Sequence, residues 1–275
     1  MDADLRHRLE RLEGIFQGMG SVLVAFSGGA DSALVLKVAH RTLGVRAAAV
    51  TSVSPTLPPA ELDDSRRIAL QIGAAHHLIE SRVVSDPAFF ENGPDRCYTC
   101  KHTLYTDAAR LARRLGFRWI ANGTNLDDFK DIRPGLRAAS EHGIRSPLAE
   151  AEFSKQEVRR LSRALGLDTW DKPAEACLSS RVPFGTLITV DNLSQIEAAE
   201  AALKQEGFRQ VRVRHHGEIA RLEFSEEDMA RLADPSLRMR IAQIVKRAGF
   251  RYVATDLEGY RQGSLNPEPL TGENS

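Results

Sequence analysis

The chain has 275 residues, 42% of them hydrophobic, and is therefore long enough to fill the core of one large domain or of two ordinary ones. Its 37 Lys and Arg residues balance its 37 Asp and Glu residues, which argues against a protein that wraps nucleic acid. The N-terminus is charged and no run of about 18 apolar residues occurs, so we predict a cytoplasmic protein that does not bind membranes. Three cysteines in such a chain favour metal binding or thiol chemistry over a disulfide framework.

Strands and helices alternate along the first part of the chain. Short apolar runs predict strands at 21–26, 45–50, 76–81 and 118–123, with helices at 31–43, 58–73 and 101–115. Because this alternation is typical of a parallel sheet with helices on both faces, we predict an α/β domain. Ser154 and Glu157 have the spacing of a capping box, which predicts a helix from there to about residue 165.

The pattern changes after a Pro- and Gly-containing segment at 171–185, which predicts an ordered loop between domains. The later part has predicted strands at 210–215, 218–224 and 250–255, a helix at 191–205 and further helical segments up to 248. We therefore predict an α/β domain at 1–185, a small α+β domain for substrate binding and oligomerisation at 186–262, and a flexible tail at 263–275.

The segment AFSGGADS follows the first predicted strand and opens the first predicted helix. Gly28 and Gly29 allow the backbone to approach an anion, and a helix N-terminus directs N–H groups and a positive dipole at it. Ser27 and Ser32 add hydroxyl donors, and Asp31 is a candidate ligand for a magnesium ion that bridges phosphates. The segment matches neither GxxxxGK[ST] nor GxGxxG, and a capped glycine turn without function is the alternative.

SGGADS after a first strand resembles the pyrophosphate loop (PP-loop) of the N-type ATP pyrophosphatases, which adenylate an oxygen of their substrate and release pyrophosphate. GTNLDD after a later strand, SPL before a capped helix, and KP extend the resemblance. It implies an adenine nucleotide α-hydrolase-like, Rossmann-like fold that uses ATP and Mg²⁺. The residues that it assigns to ATP binding are Ser27, Gly28, Gly29, Asp31, Ser32, Gly123, Thr124 and Asp128. Asp127 and Asp128 equally suit a role in capping the next helix.

ACLSSRVPFGTLIT, which contains Cys177 and Arg181, resembles the hallmark segment of the LarE-type sulfur transferases of the lactate racemase maturation system. GTNLDDFKDIRPG and VRVRHHGEIARLE resemble two further segments of that family, so the resemblance spans both predicted domains. The implied reaction adenylates a carboxylate of pyridinium-3,5-dicarboxylic acid mononucleotide, and sulfur then displaces AMP to give a thiocarboxylate. A second round gives the dithio precursor of a nickel-pincer cofactor. The family also implies a homo-oligomer, such as a hexamer.

Two sulfur sources occur in this family. In one, the cysteine at the position of Cys177 attacks the acyl-adenylate and gives up its own sulfur, becoming dehydroalanine. In the other, a CxxC and that cysteine hold a 4Fe-4S cluster whose fourth iron, free of a protein ligand, binds an extra sulfide. We favour the cluster, because this chain contains Cys97, Cys100 and Cys177, and thiolates suit iron-sulfur clusters. The alternatives are the sacrificial cysteine, zinc with a histidine such as His102 as fourth ligand, and structural thiols.

Two arginines of the segment VRVRHH, Arg212 and Arg214, point to one face of a predicted strand. Paired guanidinium groups suit a phosphate monoester, so we assign these arginines to the phosphate of the mononucleotide. The alternative is a solvated strand face on which they pair with Glu218 or Glu223.

Arg181 lies four residues after Cys177 and is assigned to neutralise the leaving phosphate of the adenylate, with a loop salt bridge as the alternative. We expect Glu200 on the solvated face of its helix. Of the neighbours His215 and His216, we expect one to be packed and the other exposed, because successive strand residues face opposite ways.

Three rival functions were weighed. A tRNA thiolase shares the pyrophosphate loop, but it requires a basic, aromatic-bearing RNA-binding appendage that the neutral composition does not favour. An ammonia-using ligase of the NAD-synthetase type gives the three cysteines no role. A nucleotide-sensing module with a decayed site conflicts with the intact SGGADS segment.

Overall fold

A computed structural model describes residues 1–130, 134–173, 176–261 and 264–265. The elements are, in chain order, α1 (Ala3–Met19), β1 (Val22–Ala25), α2 (Ala30–Leu43), β2 (Ala47–Val53), α3 (Pro59–Ile72), β3 (Ala75–Glu80), α4 (Pro87–Phe90), α5 (Arg96–Leu115), β4 (Trp119–Ala121), α6 (Pro134–Glu141), α7 (Pro147–Glu150), α8 (Lys155–Ala164), α9 (Val190–Gln205), β5 (Val211–His216), β6 (Ile219–Phe224), α10 (Glu226–Arg231), α11 (Pro235–Arg247) and β7 (Tyr252–Thr255). Among these described helices, none is long and apolar enough to cross a membrane.

Contacts between residues divide the chain into two compact units. The first contains residues 1–83 and the described residues from 95 to 173, and the second contains 84–94 and the described residues from 176 onward. The second unit thus takes in a segment from the middle of the first, which includes α4. The division into domains after residue 185 stays a prediction, and most of the predicted tail lies outside the described residues.

The first unit is built on a four-stranded sheet with the order β3-β2-β1-β4, in which every pair of neighbours is parallel. Val22 and Val24 of β1 pack in a core with residues of α1, α2 and α8, whereas Leu23 packs with α5 in a separate core. Successive strand side chains face opposite ways, so helices cover both faces of the sheet. The predicted α/β fold is confirmed. Since β1 and β4 are parallel neighbours, the loops that follow them emerge at the same edge.

The second unit contains a three-stranded mixed sheet with the order β5-β6-β7. β5 and β6 are antiparallel and are joined through Gly217, whose φ of 65° lies in the left-handed region that glycine adopts without strain. β7 adds to β6 in parallel. Phe208 and Phe224 are fully buried in this unit. The sheet confirms the prediction of a small second α+β region.

The CxxC segment is helical, which the sequence analysis did not predict. α5 begins at Arg96, five residues before the predicted start, and therefore contains both cysteines near its N-terminus. Apolar periodicity starts only after Lys101, and for this reason the sequence pattern did not predict the first residues of the helix.

Candidate functional site

The segment after β1 forms a tight loop against α3. Gly28 has a φ of +74°, and a Cβ atom at this position would lie 3.1 Å from Cα of Ser65. Both the backbone conformation and the space therefore require glycine here. Gly28 is one of the two glycines predicted to let the backbone approach a phosphate.

Two serine hydroxyls tie the loop to the start of α2. Ser32 Oγ donates to the carbonyl of Gly29 at 3.2 Å, and Ser27 Oγ accepts from the Gly29 N–H at 3.3 Å. The two hydroxyl oxygens lie 3.1 Å apart. Gly29 occupies the N-cap position and no described side chain caps the helix, so its first N–H groups are available to an anion.

The GTN segment after β4 lies directly against the start of α2. A Cβ atom on Gly123 would lie 2.8 Å from the backbone nitrogen of Ser32 and 3.1 Å from Cβ of Asp31. Only glycine allows the two loops to approach so closely. Thr124 follows, and its N–H donates to Oδ1 of the buried Asn122 at 3.1 Å. The structure thus brings together the two groups of residues that were assigned to ATP.

Asn125, which was not among the predicted site residues, orients the acid of the loop. It is fully buried, and its Nδ2 donates to Asp31 Oδ1 at 3.0 Å. Burial raises the pKa of Asp31, and the hydrogen bond from Asn125 opposes that rise. The signal that could have identified Asn125 is its place in GTN directly after a buried strand, where polar residues bind ligands.

The carboxylates of Asp127 and Asp128 accept hydrogen bonds from backbone N–H groups. Asp128 Oδ2 accepts from the Asn125 N–H at 3.1 Å, and Asp127 Oδ2 accepts from the N–H of Lys155, the first residue of α8, at 2.8 Å. The capping role that was considered for these acids therefore exists, and the assignment of Asp128 to ATP stays a prediction.

Lys172 of the KP segment is held by two carboxylates of α3. Its Nζ donates to Glu61 Oε2 at 2.9 Å and to Asp64 Oδ2 at 2.8 Å. Burial lowers the pKa of Lys172, and the hydrogen bonds to Asp64 and Glu61 raise it. The second effect is larger, so the pKa of Lys172 lies above its usual value. Because Ser65 of the same helix contacts Gly28, Lys172 anchors the helix that supports the phosphate loop.

Cys97 and Cys100 lie near the N-terminus of α5 and form no disulfide, with Cys97 exposed and Cys100 half-buried. A spacing of three residues places them on one face of the helix. A Cβ atom on Gly135 of α6 would lie 3.1 Å from Cγ of Lys101 and 4.0 Å from the carbonyl oxygen of Cys97, so α6 packs tightly beside this turn.

His102, the candidate fourth ligand for zinc, is already paired. Its Nδ1 lies 3.1 Å from Nε2 of His142, and its ring stacks on Tyr98 with 5.8 Å between centroids. Burial and the neighbouring His102 lower the pKa of His142. Within the described ranges, no three His, Cys, Asp or Glu side chains gather as a metal site. The metal-ligand roles of the cysteines therefore stay predictions.

Cys177 is an exposed free thiol at the start of a 3-10 turn, Leu178–Arg181, in the second unit. The carbonyl oxygen of Cys177 accepts hydrogen bonds from Ser180 Oγ at 2.8 Å and from Arg181 Nη1 at 3.1 Å. The backbone carbonyl of Cys177 is therefore fixed by two hydrogen bonds, while its side chain is exposed to solvent.

Arg181 is only 1% exposed and lies beneath the turn. Its Nε and Nη2 form a bidentate pair with the carboxylate of Glu200 on α9, each at 2.9 Å. The expectation that Glu200 lies on a solvated helix face is wrong. Glu200 is 4% exposed because it also accepts from the Val213 N–H, at 2.9 Å, on the edge strand β5. The role of Arg181 at a leaving phosphate stays a prediction.

Arg212 and Arg214 are both buried on β5, with 2% and 5% of their surface exposed. Arg214 donates from Nη2 to Glu223 Oε2 at 2.6 Å, and the guanidinium of Arg212 lies 5.3 Å from the centre of the Tyr260 ring. The alternative was right that Arg214 pairs with Glu223 and wrong that the strand face is solvated, because both arginines and Glu223 are buried. The assignment of both arginines to a substrate phosphate stays a prediction.

The two histidines at the end of β5 differ as expected. His215 is 9% exposed and its Nε2 lies 3.1 Å from Oε1 of Gln195, whereas His216 is exposed. Burial lowers the pKa of His215.

Comparison with known proteins gives relatives along nearly the whole chain. The chain is 45% identical to an uncharacterised protein of Synechocystis, over 95% of this chain and 98% of that protein. It is 40% identical to the pyridinium-3,5-bisthiocarboxylic acid mononucleotide synthase of Lactiplantibacillus plantarum, over 96% of this chain and 95% of the synthase. A tRNA-specific 2-thiouridylase of Rhodospirillum rubrum is 31% identical over 56% of this chain and 51% of that protein. No family model matches the chain.

Proposed function

The chain belongs to the family of pyridinium-3,5-bisthiocarboxylic acid mononucleotide synthases, the LarE-type sulfur transferases, and on this premise we propose an ATP-dependent sulfur transferase. The substrate is pyridinium-3,5-dicarboxylic acid mononucleotide, whose carboxylates become thiocarboxylates for nickel-pincer cofactor synthesis. The 40% identity to the Lactiplantibacillus synthase over nearly the full length of both proteins carries the proposal.

The phosphate loop of the first unit supports the activation step. A carboxylate oxygen of the substrate attacks the α-phosphorus of ATP, and pyrophosphate leaves with the electron pair of the broken P–O bond. The first N–H groups of α2 and the hydroxyls of Ser27 and Ser32 stabilise the charge on the phosphates. Magnesium, when bound, neutralises phosphate charge, and Asp31 has the ligand type that it prefers. Gly28 and Gly123 let the phosphate loop pack closely against α3 and the GTN segment pack closely against the start of α2.

The exposed thiol of Cys177 supports the sulfur-transfer step. In the sacrificial version, the thiolate attacks the acyl carbon of the adenylate, and AMP leaves with the electron pair of the C–O bond. Loss of the Cα proton of Cys177 and cleavage of its Cβ–S bond then leave a thiocarboxylate on the product and dehydroalanine in the chain. One chain thus supplies one sulfur atom.

The three cysteines support a cluster as the renewable alternative, and we favour it. None of the three forms a disulfide, and Cys97 and Cys100 lie one helical turn apart, as two thiolate ligands of one cluster would; Cys177 would be the third ligand. When bound, such a cluster supplies an iron without a protein thiolate, at which sulfide can exchange. The chain's own contribution is to hold these thiolates and to present Cys177.

Pyrophosphate release tests the proposed function. We expect release from ATP to depend on the pyridinium dicarboxylate mononucleotide. The likeness to tRNA 2-thiouridylases makes tRNA the second candidate substrate. Release that responds to tRNA and not to the mononucleotide would contradict the proposal.

Metal analysis after anaerobic reconstitution distinguishes the sulfur sources. We expect about four iron and four sulfide per chain, lost in Cys97→Ser and in Cys100→Ser. His102→Ala is the control, because it removes a zinc ligand but no cluster ligand. An iron-free protein whose Cys177 loses hydrogen sulfide during one turnover would show that the cysteine is sacrificial.

A further inference from the structure

Two buried arginines hold the backbone of the turn that carries Cys177. Arg181 Nη1 donates to the carbonyl oxygens of Ala176 at 2.6 Å and of Cys177 at 3.1 Å. Arg214 Nη1 donates to the carbonyl oxygen of Ser180 at 2.9 Å. The carbonyls at both ends of the turn are therefore fixed by guanidinium groups from within the second unit.

A buried glutamate holds each arginine in place. The carboxylate of Glu200 accepts two hydrogen bonds of 2.9 Å from Arg181, and the carboxylate of Glu223 accepts one of 2.6 Å from Arg214. Glu200 is 4% exposed and Glu223 is fully buried. Because these groups are buried, water competes little for their hydrogen bonds. Removal of either glutamate would leave the positive charge of its arginine buried without a counter-charge.

The glutamates are themselves anchored in the small sheet. Glu200 Oε1 accepts from the backbone N–H of Val213 on β5 at 2.9 Å. Glu223 lies on β6 and its Oε1 accepts from Ser264 Oγ at 2.6 Å and from Arg221 at 3.2 Å. A continuous chain of bonds thus leads from the sheet, through carboxylate and guanidinium, to the carbonyls beside Cys177.

We propose that Glu200 and Glu223 are positioning residues for sulfur transfer, which act on Cys177 through Arg181 and Arg214. This inference rests on the proposed function. The two pairs hold the turn so that Cys177 keeps one orientation for sulfur transfer. Misplacement of a reacting group by about 1 Å can cost about 100-fold in rate. Loss of either glutamate should therefore slow sulfur transfer without slowing adenylation at saturating mononucleotide, because the predicted ATP-binding residues lie in the first unit.

The test compares Glu200→Gln and Glu223→Gln with Glu218→Gln, which breaks an exposed ion pair with Arg251 in the same unit. We expect single-turnover sulfur transfer to fall about 10- to 100-fold in the first two variants. At saturating mononucleotide, substrate-dependent pyrophosphate release and the KM for ATP should stay at the wild-type values. Glu218→Gln should match the wild type in both steps.

If a glutamine variant does not fold, Arg181→Lys tests the same interaction. It keeps the buried charge opposite Glu200 but cannot form the bidentate pair or reach both carbonyls. We expect the same selective loss of sulfur transfer. Equal loss of both steps in the folded variants, or unchanged sulfur transfer, would overturn the positioning role.

Hydrogen exchange gives a readout that needs no substrate. The N–H of Ser180 donates to the Cys177 carbonyl and that of Val182 to the Ser179 carbonyl. Both amides should exchange at least tenfold faster in Glu200→Gln, and unchanged exchange would contradict the proposal. If the wild type adenylates no pyridinium dicarboxylate, the proposed function fails, while the exchange rates still decide whether the glutamates hold the turn.

Discussion

At the scale of single residues, two glycines shape the predicted ATP site. Gly28 was predicted from its position after a strand, and the structure adds the reason, which is its positive φ and its contact with Ser65. Gly123 was predicted from resemblance alone, because its close neighbour Ser32 is distant in sequence. A sequence shows that a glycine is present, but the atoms that exclude a Cβ come from the fold.

Gly123→Ala should impair ATP binding. The new Cβ would lie 2.8 Å from the Ser32 nitrogen, so the GTN loop or the start of α2 must move. We expect the KM for ATP to rise at least tenfold in the pyrophosphate-release assay. Gly14→Ala is the control, because a Cβ there meets no atom within 4 Å. An unchanged KM in Gly123→Ala would show that the loop adapts without loss.

Asn125→Ala should make stability more dependent on pH. Burial raises the pKa of Asp31, so its ionisation destabilises the fold as pH rises above the usual range of an aspartate. Without the hydrogen bond from Asn125, the pKa rises further and ionisation costs more. Relative to the wild type, we expect a loss of about 1–3 kcal/mol at pH 7 and a smaller loss near pH 4.

Urea unfolding at both pH values measures this difference. Asp63→Ala is the matched control. It removes only an exposed salt bridge between Asp63 and Arg66, which contributes little to the free energy of unfolding. A deficit in Asn125→Ala that is equal at the two pH values would mean that the hydrogen bond does not act on the ionisation of Asp31.

At the scale of elements, the strands and most helices follow from local pattern, whereas the charged groups inside the second unit do not. Apolar runs predicted the two central strands, β1 and β2, because buried parallel strands are apolar throughout. From sequence alone, Glu200 and Arg214 are expected at the surface, because charged side chains are mostly exposed, yet both are buried. Arg214 pairs with Glu223, nine residues later, and Glu200 with Arg181, 19 residues earlier, but the sequence does not show that other elements cover these pairs.

One asparagine contributes several of the contacts that join the segment 84–94 to the rest of the second unit. Asn92 is fully buried, and its Nδ2 donates to the carbonyls of Pro183 at 2.7 Å and Thr186 at 2.9 Å. Its φ is 59°, a conformation that glycine also adopts. Asn92→Gly therefore removes the hydrogen bonds without backbone strain.

We expect Asn92→Gly to lower the free energy of unfolding by about 1–3 kcal/mol, because buried carbonyls lose their donor. Chemical denaturation measures this loss. Gly93→Ala serves as the control for a change in the same loop, since a Cβ there meets no atom within 4 Å. Unchanged stability in Asn92→Gly would show that the segment is held by other contacts.

At the scale of the whole molecule, composition and motifs lead to the correct family because the recognisable segments span the chain. The near full-length identity to the Lactiplantibacillus synthase confirms that resemblance. The extent of the compact units was not predictable from composition, since the second unit includes residues 84–94, far along the chain from residue 176. Such a division depends on tertiary contacts across about 90 residues of sequence.

The central claim is that Cys177 is required for sulfur transfer to an adenylated pyridinium carboxylate, either as the sulfur donor or as a ligand of the cluster that supplies the sulfur. The most direct measurement is mass spectrometry of the small-molecule product after one turnover with ATP, Mg²⁺ and the dicarboxylate mononucleotide, in the wild type and in Cys177→Ser. We expect the wild type to replace a carboxylate oxygen by sulfur, and Cys177→Ser to release pyrophosphate without forming a thiocarboxylate. Thiocarboxylate formation by Cys177→Ser at the wild-type rate would contradict the claim.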